Sequence, residues 1–485
     1  MRDAVAGAAG ELQACAARFI KENRLPGAAV GVVAGRDLAW SAGVGFADVA
    51  AGRAPLGSTL YRVASITKTF TGTAIMRLRE AGLLHLDDPA VAHLPELRGA
   101  ASPFGAIETV TIRRLLSHES GLASEPPGTD WTSLAYEGVA ERTLARVTEI
   151  GTKVPPNTQL KYSNLAYQLL GEIVARVSQV PYPRYVREAI LGPLRMSGSD
   201  YEPLGPDLAA RCATGYQPRT FSDELAAATS MPSVWAEGGL WSSADDLARW
   251  VAFQLTAYAD QAGQPEQGGQ PERGGQPERG SQAGQAAVLA PAALRDMHKP
   301  RYLDDDAWTL AWGISWYAVR REDIAWVQHS GDLPGFAANV CFDPGQRVGA
   351  VALLNGTGDA AALAMDLAAI ARRTVLAAPP EIKAPAPTPD AYRPLLGYYA
   401  SPERGMFVRL EWRDAKLTFV DPDNPTWRPT LAPTSDADTF MIEPGVRQSG
   451  EPAIFRRRAD GRVVCVRLAV ETLARLDQVS QEAGG

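Results

Sequence analysis

The chain has 485 residues, enough for two or three domains, and its 46% hydrophobic and 8% aromatic content is typical of globular proteins. A formal net charge of −7 gives no basic surface for a polyanion, so we expect neither a nucleic acid partner nor an acidic membrane partner. The sequence has no uninterrupted apolar run of about twenty residues and no C-x-x-C pair. It therefore predicts no membrane span, no zinc cage and no disulfide framework.

The N-terminus predicts no export. Its first ten residues contain one Arg and one Asp and lack the basic start and long apolar core of a secretory signal. The four cysteines, Cys15, Cys212, Cys341 and Cys465, are widely separated, as is typical of free thiols. We therefore expect a cytoplasmic protein.

Periodic patterns predict the order of the helices and strands. Predicted helices cover 12–22, 65 to about 81, 166–177, 183–190, 244–255 and about 361–376. Predicted strands cover 28–33, 37–41, 324–329, 338–342 and 348–354. Because strands occur at both ends of this region and helices dominate its middle, we expect one antiparallel sheet with helices around it.

Three segments set the predicted domain boundaries. Residues 262–287 repeat Gly-Gln-Pro-Glu and are too polar to bury a core, which predicts a disordered insertion. A Pro-rich linker at 378–391 follows a first domain of residues 1–377. Residues 392–485 contain short alternating runs and a hairpin pattern at 454–468, which predict a small antiparallel β domain.

Ser65-Ile66-Thr67-Lys68 is the first motif that can carry chemistry. It lies at the start of a predicted helix, where side chains three residues apart share a face, so the Ser65 hydroxyl and the Lys68 amine can meet. The helix N-terminus also supplies unpaired N–H groups and a positive dipole end, which favour a developing alkoxide. S-x-x-K alone is a weak signal, because a surface Ser and Lys can have the same spacing.

The scarcity of lysine strengthens this motif. The chain has 7 Lys against 41 Arg, and Ser65 to Lys68 is its only S-x-x-K. Where any cation would serve, the chain usually has Arg, which cannot release its proton, whereas a buried Lys can. The choice of Lys68 therefore indicates proton transfer.

Two further motifs follow in the chain. Tyr162-Ser163-Asn164 comes just before a predicted helix, on a loop whose side chains can face a cleft. His329-Ser330-Gly331-Asp332 stands at the end of a predicted strand, where Gly331 allows the backbone to approach a ligand closely. Neither motif is distinctive alone.

In this order, the three motifs resemble the serine β-lactamase and penicillin-binding protein superfamily, whose signature is S-x-x-K, then Y-x-N or S-D-N, then K-T-G. The leading Tyr of the second motif is most similar to the branch of class C β-lactamases, DD-peptidases, D-aminopeptidases and esterases. Residues 115–122 and 238–247 also resemble that branch, so the likeness covers about residues 10–375. It implies an α/β (α+β) fold: an antiparallel sheet flanked by helices, a helical subdomain, and a small C-terminal antiparallel β-barrel-like domain.

The resemblance also implies a role for each motif residue. Ser65 attacks a carbonyl to form an acyl-enzyme, and either Lys68 or Tyr162 takes its proton; the sequence does not choose between them. The implied substrate-binding residues are Asn164, His329, Ser330 and Gly331. The implied oxyanion hole consists of the backbone N–H groups of Ser65 and Asp332. No metal and no cofactor is implied.

Two residues depart from the β-lactamase pattern. His329 replaces the usual Lys, and with an ordinary pKa near 6.5 it attracts a substrate carboxylate only weakly at pH 7.5, so efficient penicillin hydrolysis is not expected. If it titrates near neutrality, kcat/KM should inflect between about pH 6 and 7. The Asp332 carboxylate would repel an anionic substrate, so we expect a neutral or cationic one.

The predicted function is a serine hydrolase that acts on small esters or amides through a Ser65 acyl-enzyme. The alternatives are a D-aminopeptidase, a DD-carboxypeptidase-like penicillin-binding peptidase, or an acyltransferase. A true β-lactamase and a non-catalytic binding or assembly protein fit less well. The expected partner is a small ester, amide or peptide, and assembly into a homo-oligomer is left open.

Two other hydrolase classes lack their motifs. A Ser-His-Asp hydrolase of the nucleophile-elbow type needs G-x-S-x-G, and a zinc peptidase needs H-E-x-x-H; the sequence has neither. We expect His118 to be a hydrogen-bonded structural residue and His298 to be a surface residue.

Overall fold

The computed structural model describes residues 1–129, 140–217, 235–258, 288–378, 386–424 and 427–476. The described residues form two compact units, one up to residue 378 and one from residue 386. The insertion predicted at 262–287 lies outside them, as do linker residues 379–385. Among the described helices, none combines the length and the apolar character that a bilayer crossing needs.

Helices make up much of the first unit. In the part that the structure describes they are α1 (Arg2–Gly7), α2 (Ala9–Glu22), α3 (Thr67–Glu80), α4 (Ala90–His93), α5 (Ile112–Leu116), α6 (Ala140–Ala145), α7 (Asn164–Ser178), α8 (Tyr182–Val186), α9 (Pro206–Ala209), α10 (Trp235–Gly238), α11 (Ala244–Leu255), α12 (Pro291–His298) and α13 (Ala360–Ala377). Short 3-10 helices cover Ala64–Ile66, Pro95–Gly99, Ile107–Thr109 and Val147–Glu149. A π-helical turn, Arg187–Leu191, extends α8.

Two antiparallel sheets complete the first unit. Their strands are β1 (Gly27–Ala34), β2 (Asp37–Gly45), β3 (Leu60–Arg62), β4 (Asp200–Tyr201), β5 (Leu240–Ser243), β6 (Tyr302–Leu303), β7 (Leu310–Trp312), β8 (Tyr317–Arg321), β9 (Ile324–Leu333), β10 (Phe336–Asp343) and β11 (Val348–Leu354). The large sheet has the order β2-β1-β11-β10-β9-β8-β7-β6, and the small one has the order β3-β5-β4. Val30 of β1 lies opposite Ala352 of β11, so the N-terminal hairpin joins the late strands, as expected.

Hydrophobic cores cover both faces of the large sheet. One core joins the sheet to α2 and α13, with Leu12, Val30 and Leu363 fully buried. The other joins it to helices that include α3, α7 and α11, with Phe70 and Trp250 fully buried. Because β1 is covered on both faces, its sequence is a continuous apolar run rather than an alternating one.

Helix α3 lies in the interior of the helical region. Every residue from Thr67 to Met76 is buried. Phe70 stacks on Trp250 of α11 with ring centroids 4.0 Å apart, and the Trp250 indole N–H donates to Thr69 Oγ1 at 3.1 Å. Polar groups on the first turns of α3 are thus held away from water, where charged forms are costly.

The second unit is a closed antiparallel barrel. Its strands are β12 (Gly397–Ser401), β13 (Met406–Arg413), β14 (Lys416–Val420), β15 (Thr430–Pro433), β16 (Thr439–Ile442), β17 (Pro452–Arg457), β18 (Val463–Leu468) and β19 (Glu471–Arg475), each paired with the next, and β19 pairs with β12. Tyr399, Phe419, Phe440 and Phe455 fill the interior. Closure leaves no unpaired strand edge around the barrel.

The fold class expected from the sequence is confirmed, with local differences in element bounds, two of which concern the motifs. Helix α11 and strand β11 have the predicted bounds. The helix expected to begin at Ser65 begins at Thr67, after the 3-10 turn Ala64–Ile66. Strand β9 continues to Leu333, so the third motif lies within the strand rather than at its end. The pairing of β9 with β10 keeps this stretch extended.

Candidate active site

Ser65 stands on a sharp turn between β3 and α3. The preceding residue, Ala64, is buried and has φ = +45°, a left-handed backbone conformation that is uncommon for a residue with a Cβ. Ser65 is only partly buried, whereas its neighbours Ala64 and Ile66 are buried. The strained turn therefore leaves the Ser65 hydroxyl partly accessible within a segment that is otherwise buried.

Lys68 contacts Ser65 directly, as their spacing predicts. Lys68 Nζ lies 2.9 Å from Ser65 Oγ and donates to the Glu237 carbonyl oxygen at 2.7 Å. The Lys68 side chain is fully buried. Desolvation lowers the pKa of Lys68 to about 7, against the opposing effect of the Glu237 and Glu125 carboxylates. Near neutral pH, the charged and neutral forms of Lys68 are therefore both populated.

Tyr162 also contacts Ser65. Its phenol is hydrogen-bonded to Ser65, and Lys68 Nζ lies 5.0 Å from the centre of its ring. Desolvation raises the pKa of Tyr162 above its ordinary value, although the Ser65 hydrogen bond lowers it in part. Tyr162 is thus a neutral phenol at neutral pH.

Asn164 begins α7 and faces a carboxylate. The helix is capped by Ser163, whose Oγ accepts from the Ala166 backbone N–H at 2.9 Å. Asn164 Nδ2 donates to both carboxylate oxygens of Glu125, at 2.9 and 3.1 Å. The structure therefore pairs the expected substrate-binding amide with an acidic side chain.

The third motif packs against the Ser65 turn. A Cβ on Gly331 would lie 2.1 Å from the Val63 carbonyl oxygen and 2.9 Å from the Ser65 backbone nitrogen. Only a glycine allows β9 to approach this closely. The Ser330 hydroxyl accepts from Asn339 Nδ2 at 2.8 Å and lies 2.9 Å from the Tyr317 hydroxyl, so neighbouring strands engage it.

His329 does not titrate near neutrality, which corrects one expectation. Its side chain is 2% exposed, and desolvation lowers its pKa to about 3, with the nearby Lys68 charge as the next cause. Nδ1–H donates to the Ser330 carbonyl oxygen at 2.7 Å, while Nε2 has no hydrogen-bond partner among the described residues. The expected inflection of kcat/KM at pH 6 to 7 therefore cannot come from this group. The sequence alone did not show that His329 is buried, and burial is what lowers its pKa.

Asp332 completes the motif on the exposed side. Desolvation and the neighbouring carboxylate of Asp359 raise the pKa of Asp332 from its ordinary value. Its charge is also felt by Tyr162, whose pKa it raises. The structure thus brings Asp332 into the electrostatic surroundings of Ser65 and Tyr162.

Several residues near Ser65 carry no local sequence signal. Glu237 is 3% exposed and directly precedes the 238–247 stretch, and Glu125 lies three residues after the 115–122 stretch, but neither residue belongs to a predicted motif. Trp312 lies 5.8 Å from the Tyr162 ring and 6.1 Å from the His329 ring, measured between centroids. Their common feature is contact across long sequence separations.

The expectation for His298 is wrong. It is buried rather than on the surface, with Nδ1 3.0 Å from the Tyr258 hydroxyl and Nε2 2.9 Å from Gln254 Oε1. The rings of Trp316 and Phe342 pack edge-to-face with the imidazole, with centroids 5.6 and 5.1 Å away. Within the described ranges, no group of three or more His, Cys, Asp or Glu side chains could hold a metal ion.

Comparison with known proteins establishes the family. The model of the family described as Beta-lactamase matches residues 12–374, so the chain belongs to the β-lactamase family of serine hydrolases. Protein flp of Staphylococcus aureus (strain N315) is 27% identical over 345 residues, which are 69% of this chain and 61% of that protein. The chain therefore spans about three fifths of the length of that relative.

Solved structures share the fold. An octameric penicillin-binding protein homologue from Pyrococcus abyssi has a TM-score of 0.60 and 22% identity, covering 96% of this chain and 99% of that one. A D-stereospecific amidohydrolase from Streptomyces sp. has a TM-score of 0.57 and 19% identity, covering 74% of this chain and 98% of that one. At these identities the likeness shows the fold, and function must be argued from the site.

Proposed function

We propose that this protein is a serine hydrolase that forms an acyl-enzyme on Ser65, with small esters or amides as substrates. The observation that carries the proposal is the 2.9 Å separation between Ser65 Oγ and the amine of fully buried Lys68, whose pKa is about 7. An amine of this pKa is available in its neutral form at working pH and can accept the hydroxyl proton. Membership of the family supports the same chemistry.

Lys68, rather than Tyr162, is the proposed base. Desolvation favours the neutral form of both groups. The neutral Lys68 amine can accept a proton, whereas the neutral Tyr162 phenol still carries its own. As Ser65 Oγ bonds to the substrate carbonyl, its proton passes to Lys68. Tyr162 protonates the leaving oxygen or nitrogen as the scissile bond breaks, and Lys68 then returns a proton to Tyr162. Water cleaves the acyl ester and restores Ser65.

The backbone N–H groups of Ser65 and Asp332 are the proposed oxyanion hole. The close packing of Gly331 on the Ser65 nitrogen supports this assignment, because it sets the end of β9 beside the nucleophile. Such donors act on charge that develops in the transition state, and the loss of one typically costs about 3 kcal/mol. His329, Ser330 and Asn164 are proposed to line the substrate site.

The charges around the site favour a neutral or cationic substrate. His329 is neutral, whereas Glu125 and Asp332 contribute carboxylates near Ser65 and Asn164. A substrate carboxylate would meet repulsion there, which argues against a DD-carboxypeptidase. The second candidate is therefore a D-aminopeptidase, in which a free substrate ammonium is attracted by the Glu125 carboxylate.

A substrate screen tests the central proposal. Purified protein is assayed with p-nitrophenyl esters, D-amino-acid p-nitroanilides and nitrocefin, and a fluorophosphonate label is mapped by mass spectrometry. Ser65→Ala should abolish turnover and labelling, whereas Ser102→Ala, on an exposed loop, should change neither. Wild-type turnover in Ser65→Ala would overturn the proposal.

A pair of substrates separates the two candidates. D-alanine p-nitroanilide carries a free ammonium, and its N-acetyl derivative does not. A D-aminopeptidase should prefer the free amine by about tenfold or more, and Glu125→Gln should remove that preference, because a charged hydrogen bond contributes about 1.5–3 kcal/mol. Equal rates for the two compounds would favour the esterase or amidase. Added alcohol or amine reveals acyl transfer through the new ester or amide product.

A further inference from the structure

His118 is a fully buried histidine beside Tyr162 that the proposed chemistry does not use. It follows the α5 cap residue Ser117 and has φ = +61°. The next backbone N–H, of Glu119, donates to the Arg114 carbonyl at 2.9 Å, a helix ending in which glycine is the usual residue at the His118 position. An imidazole is therefore placed here at a conformational cost.

His118 contacts the second motif at two points and the residue that precedes the motif at a third. The backbone N–H of Lys161 donates to the His118 carbonyl at 2.8 Å, and the backbone N–H of Ser163 donates to His118 Nδ1 at 3.1 Å. Between them, the Tyr162 ring stacks on the imidazole, with centroids 4.2 Å apart and an interplanar angle of 28°. Both neighbours of Tyr162 and its own ring are thus bound to one residue.

The contacts require a neutral imidazole with its proton on Nε2. Nδ1 can accept the Ser163 N–H only when it is unprotonated. Burial, with the Lys68 charge as a second cause, lowers the pKa of His118 well below its ordinary value. The rings of Tyr167 and Trp312, with centroids 5.1 and 5.0 Å away, enclose the imidazole further.

We infer that His118 is the positioning residue that holds the Tyr162 phenol against Ser65. The inference rests on the proposed Ser65 chemistry and concerns its proton-transfer step. A phenol hydrogen-bonded to Ser65 must keep its direction while the leaving group departs, and the stacked ring and the two flanking hydrogen bonds restrict both the backbone and the side chain of Tyr162. These contacts involve Lys161, Tyr162 and Ser163 and none of the proposed substrate-binding residues, so KM should change little when they are lost.

Three variants test the inference through kcat and KM. His118→Phe keeps a stacking ring but cannot accept the Ser163 N–H, so kcat should fall about 100-fold while KM stays within about twofold. His118→Asn tolerates the left-handed backbone and keeps an acceptor, so kcat should fall about tenfold at most. His298→Asn, at a second buried histidine away from Ser65, should lower the melting temperature without changing kcat of the folded enzyme.

A double-variant cycle distinguishes positioning from general stability. In a Tyr162→Phe background, His118→Phe should lower the residual kcat less than about twofold, because its effect passes through the phenol. If the two losses multiply instead, or if His118→Phe raises KM rather than lowering kcat, the inference is wrong. Ser65→Ala is measured alongside. Wild-type turnover in that variant would refute the proposed function, whereas multiplying losses with an inactive Ser65→Ala would refute only the inference about His118.

Discussion

As the proposed base, Lys68 should set the pH dependence of turnover. It must be neutral to accept the Ser65 proton, and its pKa is about 7, so kcat/KM should rise as the pH increases through 7 and level off about two units higher. His329, with a pKa of about 3, should add no inflection near neutrality. The measurement is kcat/KM between pH 5.5 and 9.5 with a non-ionising ester.

Glu237→Gln provides the matched variant for this profile. The Glu237 carboxylate raises the pKa of Lys68, while the backbone carbonyl that binds Nζ is kept in the variant. The inflection should therefore move to lower pH. A profile that is flat, or that is identical in both proteins, would contradict the assignment of Lys68 as the base.

At the residue scale, the sequence was informative about the motifs and silent about their surroundings. Ser65 and Lys68 are three residues apart, so their contact was predictable from the spacing, although Ser65 lies in a 3-10 turn just before the helix. Glu237 meets Lys68 from a segment far along the chain, and no local pattern marks that contact. The same limit explains His329 and His298, since the pKa of the first and the burial of the second depend on tertiary packing.

At the scale of elements, the contact between β9 and the Ser65 turn is the critical one. Gly331→Ala would place a Cβ 2.1 Å from the Val63 carbonyl oxygen and 2.9 Å from the Ser65 nitrogen, both backbone atoms that cannot move independently. We expect kcat/KM to fall about 100-fold and the free energy of unfolding to fall by about 1–3 kcal/mol. Steady-state kinetics and urea unfolding measure the two effects.

Gly10→Ala is the control for this substitution. Gly10 lies in α2, where an added Cβ meets nothing within 4 Å. Alanine should leave kcat/KM unchanged and raise the free energy of unfolding by up to about 1 kcal/mol, because it favours the helix. An active Gly331→Ala protein would show that β9 does not set the geometry of the nucleophile.

Element bounds were predictable where periodicity and packing agree. Helix α11 is capped by Ser243, whose Oγ accepts from the Asp246 N–H, and its predicted start is the observed one. No side chain caps the 3-10 turn that contains Ser65, and Ala64 in that turn has a positive φ. Periodicity alone cannot show either feature. Strand β9 was predicted to end at His329 but continues to Leu333, and Gly331, expected to allow close approach of a ligand, instead allows close packing on the Ser65 turn.

At the scale of the whole molecule, each compact unit has its own hydrophobic core. A fragment of residues 1–378 and a fragment of residues 386–476 should therefore each unfold cooperatively when expressed alone. Calorimetry of the two fragments checks this, with the full chain as reference. A fragment without a cooperative transition would show that its unit depends on the rest of the chain.

The pairing of β1 with β11 has a consequence for synthesis of the protein on the ribosome. Ala28 lies opposite Leu354, so this edge of the early strand β1 stays unpaired until the late strand β11 has been synthesised. Until then β1 presents an apolar edge, which is the type of edge that recruits other chains. Products that terminate before β11 should aggregate, and β10, which pairs with the motif-bearing strand β9, should also lack its inner neighbour.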